Sequence, residues 1–112
     1  MEKFDVKARI SLYSPDKGGR QGETPNTFFG CIFAIDDNNF NCRILLEKTG
    51  PLLPGKTYDV PIIFSSPSLV KSKIEQDMKF FLWEGKYIAE GYITEINQNK
   101  WVVEEFDEGV SI

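Results

Sequence analysis

Apolar residues recur at every second position through most of this chain, and that period excludes most architectures at once. Phe4, Val6, Ala8, Ile10 and Leu12 make one apolar face, while Asp5, Lys7, Arg9, Ser11 and Tyr13 make the other. Side chains two apart share a face only in an extended chain, so this segment reads as a half-buried β-strand. TYDVPIIF repeats the pattern through Tyr58, Val60, Ile62 and Phe64. Aromatic and β-branched residues fill TFFGCIFAI, FNCRILLE, MKFFLWE and YIAEGYITEI, and a last strand, KWVVEEFD, follows Asn97-Gln98-Asn99. No segment carries an amphipathic helical stripe of useful length, and SSPSLVKSKIEQD has room for at most one helical turn.

The turn residues agree with strands. Asp36-Asp37-Asn38-Asn39 joins two of them as a hairpin, and Gly85-Lys86 joins another two. KTGPLLPGK holds two prolines and two glycines, breaks both periods and reads as a connector. A hairpin closing tightly around Asp37 and Asn38 sets Cys31 opposite Ile44, with Cys42 its diagonal neighbour, near but not paired. Pro61 lacks the amide that a ladder needs, so its strand is expected to have an edge there. Short strands and frequent turns predict an antiparallel all-β sandwich or barrel, a closed or nearly closed barrel leaving the fewest free edges. At 112 residues the whole chain, 1–112, is expected to be a single domain.

Composition narrows function by subtraction. There is no histidine, so Ser-His and Cys-His nucleophile pairs are impossible and the usual neutral-pH base is missing. Two cysteines without histidine fall short of the four ligands of structural zinc and read as buried thiols. Glu104, Glu105, Asp107 and Glu108 lack the spacing of a calcium loop and read as a solvated acidic end. No enzyme, no metal and no cofactor is expected. The net charge of −4 is a poor start for nucleic-acid binding, which rests on phosphate neutralisation. No apolar run approaches the roughly 20 residues of a membrane helix, and MEKFDVKARI enters a strand without an apolar leader. A cytoplasmic protein without membrane contact is expected.

The loop SPDKGGRQGETP, residues 14–25, poses the sharpest functional question. It is not a P-loop, because it lacks the Gly-Lys-Ser/Thr ending and no helix follows it. Its glycines read as a turn with positive φ rather than a phosphate cradle. Arg20, held on such a turn, can meet an RNA backbone or a carboxylate. On alternating strands most aromatics belong to the core; Trp83 and Trp101 are the two whose exposure decides whether bases could stack on them.

Taken in order, LYSPDKGGRQGETP, an aromatic strand, an Asp-rich turn, LLPGK, a strand ending in Ser66-Pro67, and FFLWEGKYIAEGYITEI resemble the C-terminal β-barrel domain (domain III) of elongation factor Tu and its GTPase relatives. The resemblance covers residues 4–96 and rests on Gly18-Gly19-Arg20, Pro54-Gly55, Pro67 and Glu84-Gly85 as an ordered set, leaving 97–112 as an extra strand and acidic end. In that family the loop arginine and the turn glycine approach the T-stem of aminoacyl-tRNA. The resemblance therefore marks Arg20 and Gly85 as candidate binding residues, with Lys17, Gln21 and Lys86 beside them. Several family contacts are missing. NTFFGCIF shortens the segment that carries a further arginine and glutamine, Ser66 replaces a basic residue, Trp83 replaces an arginine, and Tyr87 stands near where a second arginine would be. Fewer cations mean fewer phosphates neutralised. No Walker A sequence is present, so GTP binding by this chain is not expected. A stand-alone module that binds an unidentified protein partner is the favoured expectation, as a translation accessory, a decoy or an immunity-type protein. Weak tRNA binding around Arg20 and Gly85 is the alternative.

Overall fold

The computed structural model describes residues 4–97. Six strands fill it: β1 (Val6–Leu12), β2 (Phe28–Ile35), β3 (Asn38–Leu45), β4 (Thr57–Phe64), β5 (Lys79–Trp83) and β6 (Tyr87–Ile96). A 3₁₀ turn, Pro15–Lys17, and one short helix, α1 (Pro67–Lys71), are the only helical pieces among the described residues. All neighbouring strands pair antiparallel in the order β1-β4-β3-β2-β5-β6, and β6 returns to β1 to close the barrel. Closure removes the open edges that an antiparallel sheet of this length would expose. The expected strand over 100–107, Trp101 and the acidic end lie outside the described residues.

The alternation read from the sequence sets the core. Val6, Ala8, Ile10 and Leu12 of β1 and Val60, Ile62 and Phe64 of β4 point inward and are buried. At the centre Phe33 is fully buried, stacked on Phe80 with ring centroids 4.2 Å apart and edge-on to Phe64 at 5.0 Å. Offset stacks and edge contacts are the arrangements that the ring quadrupole favours.

Two sequence expectations need correcting. Asp5 belongs by alternation to the polar face, yet it is fully buried. Its Oδ2 accepts the Phe64 amide at 2.7 Å, its amide donates to Ile62 O at 2.9 Å, and its carbonyl accepts Asn97 N at 2.9 Å. Through Oδ2 the side chain is thus a substitute acceptor where the β1–β4 ladder ends, and that bond offsets part of the cost of its burial. The second correction concerns the β2–β3 hairpin, which turns on Asp36-Asp37, one residue earlier than expected. Asp36 takes a left-handed φ of 50°, which Asp and Asn tolerate almost alone among non-glycine residues. Cys31 therefore lies directly opposite Cys42 rather than Ile44. The partner changes by two positions, so every side chain keeps its predicted face. The two sulfurs are 3.7 Å apart as free thiols. Contact with Cys42, then burial, pushes the Cys31 thiol far above its usual range, so it stays protonated and unreactive.

The edge expected at Pro61 is present on one side. Its strand pairs on both sides, with β1 along Thr57–Ile62 and with β3 only along Ile62–Phe64. The proline sits one residue outside the shorter ladder, in register only with Lys7 of β1. The strand therefore has an unpaired edge at the proline on the β3 side, as expected, and a missing amide is harmless there.

Candidate functional site

The loop after β1 is built as a folded turn, and each glycine of its Gly18-Gly19 pair has a separate task. Ser14 O accepts the amides of Lys17 and Gly19, both at 2.9 Å, which winds the chain into its 3₁₀ turn. Gly18 leaves that turn at φ 89°, a conformation that side chains with a Cβ resist. Gly19 has no such φ but lies against the chain: a Cβ there would be 1.8 Å from the Tyr13 carbonyl oxygen. Further on, buried Thr24 docks the loop onto the connector before β4. Its amide donates to Leu52 O at 3.0 Å, and its hydroxyl accepts Leu52 N at 2.8 Å while donating to Pro25 O at 3.2 Å. Thr24→Val keeps the shape and strands the Leu52 amide in the interior. It is expected to cost about 1–3 kcal/mol in urea denaturation; a loss below about 0.5 kcal/mol would mean that water replaces the hydroxyl.

Arg20 follows directly, and its guanidinium is already committed. Nε donates to Glu84 Oε1 at 2.8 Å, while one Nη donates to Glu23 O at 2.6 Å and Gly22 O at 3.2 Å. The same group lies over the Phe29 ring, 5.1 Å from its centroid. Glu84 begins the β5–β6 turn, and Gly85 beside it has φ 74°. The ion pair therefore brings Arg20 to the Gly85 turn, as one charge-balanced corner rather than as a free cation. Lys17, Gln21 and Lys86 are exposed, and neither lysine makes an ion pair among the described residues. Of the five candidate residues, Arg20 and Gly85 are thus joined through Glu84, with Lys86 on the same turn, and Lys17 and Gln21 stay on the loop.

A second surface lies beside this corner, on the outside of β2, β5 and β6. The registers set Ile32 opposite Trp83, Trp83 opposite Tyr87, and Ala34 opposite Phe81. Phe81, Trp83 and Tyr87 are 36%, 41% and 55% exposed, and Phe81 meets Tyr87 edge-on at 5.9 Å. Polar groups surround them. Tyr13 donates to Glu90 Oε1 at 3.1 Å, and Lys79 Nζ is 3.6 Å from Glu90 Oε2 and 5.3 Å from the Phe81 ring centroid. Burial first, then Glu90, raises the Tyr13 hydroxyl above its ordinary range, so it remains a donor. An exposed aromatic centre within a polar rim is the make-up of a binding surface.

Trp83 was singled out by the sequence as an aromatic to check and Tyr87 only for standing near a missing family arginine; Phe81 and Ile32 were not singled out. The signal lay in MKFFLWE, where apolar residues fill both phases of the alternation. With Phe80 and Leu82 inside, Phe81 and Trp83 must face out. Among the described residues no three His, Cys, Asp or Glu side chains cluster as metal ligands, and no helix is long and apolar enough to cross a membrane. No protein-family model matches the chain, and no curated protein sequence matches it either.

Proposed function

We propose that this chain is a non-catalytic interaction module that binds a protein partner through the outer face of β2, β5 and β6. In this reading the barrel is of the elongation factor Tu C-terminal type, used as a scaffold. The observation that carries the proposal is the exposed set Phe81, Trp83 and Tyr87, with half-buried Ile32 beside Trp83. Trp and Tyr at the centre of a patch supply most of the energy of protein interfaces. The closed barrel adds to the argument, since each described strand is paired on both sides for part of its length, which leaves only short unpaired stretches and favours a face over strand addition. The Arg20–Glu84 pair supports a protein over RNA, because a phosphate would have to displace a carboxylate that already neutralises the arginine. A translation accessory, a decoy or an immunity-type protein all fit such a module.

The test is affinity capture at near-native expression, comparing the wild type with Trp83→Glu and with a connector control, Lys56→Glu. Trp83→Glu is expected to lower partner recovery by roughly 30-fold, the equivalent of about 2 kcal/mol at a central aromatic, while Lys56→Glu leaves recovery unchanged. Equal recovery by all three would remove the aromatic face from the proposal. In parallel, tRNA is titrated across a salt series against wild type and Arg20→Glu. Tight, salt-sensitive binding that collapses in Arg20→Glu would move the function to RNA.

A further inference from the structure

The aromatic face encloses a recess of about 660 Å³ between the β1 end, the β2–β3 turn and the β5–β6 pair. Tyr13, Phe81 and Tyr87 supply aromatic walls, Ala34 lies between them, and Asp36 stands at the turn. Resting on the protein-interaction reading above, we infer that this recess receives an arginine side chain presented by the partner.

Three observations select a cation. The first is the wall itself. Two phenol rings and one phenyl ring converge on one space, and π faces attract a weakly hydrated cation, with guanidinium stacking better than ammonium. The second is charge. One carboxylate, Asp36, and one ammonium, Lys79, line the recess, and Glu90 just outside it stands 3.6 Å from that ammonium. Lys79 lies by Glu90, and Asp36 makes no ion pair among the described residues, which leaves its carboxylate for an incoming fork of N–H donors. The third is that one of these rings already holds a cation within the chain: Lys79 Nζ sits 5.3 Å from the Phe81 centroid. The net charge of −4 also favours encounter with a basic segment.

Asp36 has a second role that makes the arrangement specific. Its left-handed φ of 50° fixes the β2–β3 turn, and that turn places Asp36 in the lining of the recess. A turn on the next residue pair would shift this position along the strand. The residue that sets the hairpin register therefore also supplies the anion.

The probe is Nα-acetyl-arginine amide, titrated into the intact 15N-labelled protein and followed by amide shifts. Nα-acetyl-citrulline amide, with the same shape and no charge, is the comparator. Saturable shifts centred on residues 13, 34, 36, 79, 81 and 87 are expected at millimolar probe, with citrulline weaker by roughly threefold to tenfold, the worth of one cation–π contact. Tyr87→Ala and Asp36→Asn are each expected to weaken arginine binding by a similar factor. Asn tolerates the left-handed φ, so the turn survives in Asp36→Asn. Equal binding of citrulline overturns the inference, as does an absence of shifts at about 50 mM probe. Partner capture that depends on Trp83 but not on Asp36 would overturn the arginine and leave the protein interface standing. Arginine binding without any captured partner would do the reverse.

Discussion

Gly19→Ala is expected to destabilise the barrel by about 3 kcal/mol, the upper range for forcing an extra carbon into a packed site. The new Cβ would be 1.8 Å from the Tyr13 carbonyl oxygen and 2.5 Å from its carbon, both backbone atoms. No rotamer change relieves such a contact. Tyr13 cannot withdraw freely, since its amide donates to Ile88 O of β6 at 2.9 Å. Gly19 cannot lift away without breaking its own bond to Ser14 O. Gly18→Ala is the matched control: nothing lies within 4 Å of its Cβ, so it carries only the strain of φ 89°, about 1–2 kcal/mol. Urea denaturation of both variants gives the ranking, and Gly19→Ala should be the worse. The reverse order, or a Gly19→Ala variant as stable as wild type, would show that the loop yields as a unit. Amide spectra supply a second readout, because displacing Gly19 should also part Arg20 from Glu84.

That experiment also separates what the sequence could say about residues 14–25 from what it could not. A Gly-Gly pair after a strand announces a turn, but not which glycine supplies the φ and which the clearance. Strand faces were legible because alternation is local: Val60, Ile62 and Phe64 had to share a side wherever the strand lay. Register was less so, since Asp36, Asp37 and Asn38 can all occupy a left-handed turn position, and the hairpin closed on the earlier pair. Asp5 was misread because alternation assigns a face and not a hydrogen-bond partner, and its acceptor role exists only once β4 ends beside it. The candidate site divides the same way. Arg20 stood out by type, yet its commitment to Glu84 spans 64 residues and no local pattern encodes it. The exposed aromatics were written in MKFFLWE, and only their assembly with Tyr13 and Asp36 needed the folded chain.

Phe33→Ala is expected to cost roughly 3–5 kcal/mol, the usual range for deleting a buried ring. Phe33 has no exposed surface and loses two partners at once, the stack on Phe80 and the edge contact with Phe64. Those rings come from β5 and β4, on opposite sides of the barrel from one another in strand order, so no single neighbour can collapse into the space. Small domains hold about 5–15 kcal/mol in total, so the variant should melt far below wild type or populate the unfolded state at room temperature. Phe33→Leu keeps most of the volume and is expected to lose clearly less. Denaturant midpoints with unchanged slopes would confirm a loss of native stability. A penalty under about 1 kcal/mol for Phe33→Ala would mean that the barrel narrows around the gap, against the close packing described here.

The contact between Asn97 and the start of β1 has a consequence for how such a barrel can be carried. Asn97 donates its amide to Asp5 O at 2.9 Å and its side-chain nitrogen to Phe4 O at 2.8 Å. The path into the barrel and the path out of it thus meet at one point. A host chain could detour through the whole fold and resume almost where it left, with no spacer to stretch. The same adjacency allows a circular permutant, joined at 4 and 97 by a short linker and reopened in an exposed turn, to keep every strand pairing. The barrel is in that sense a cassette.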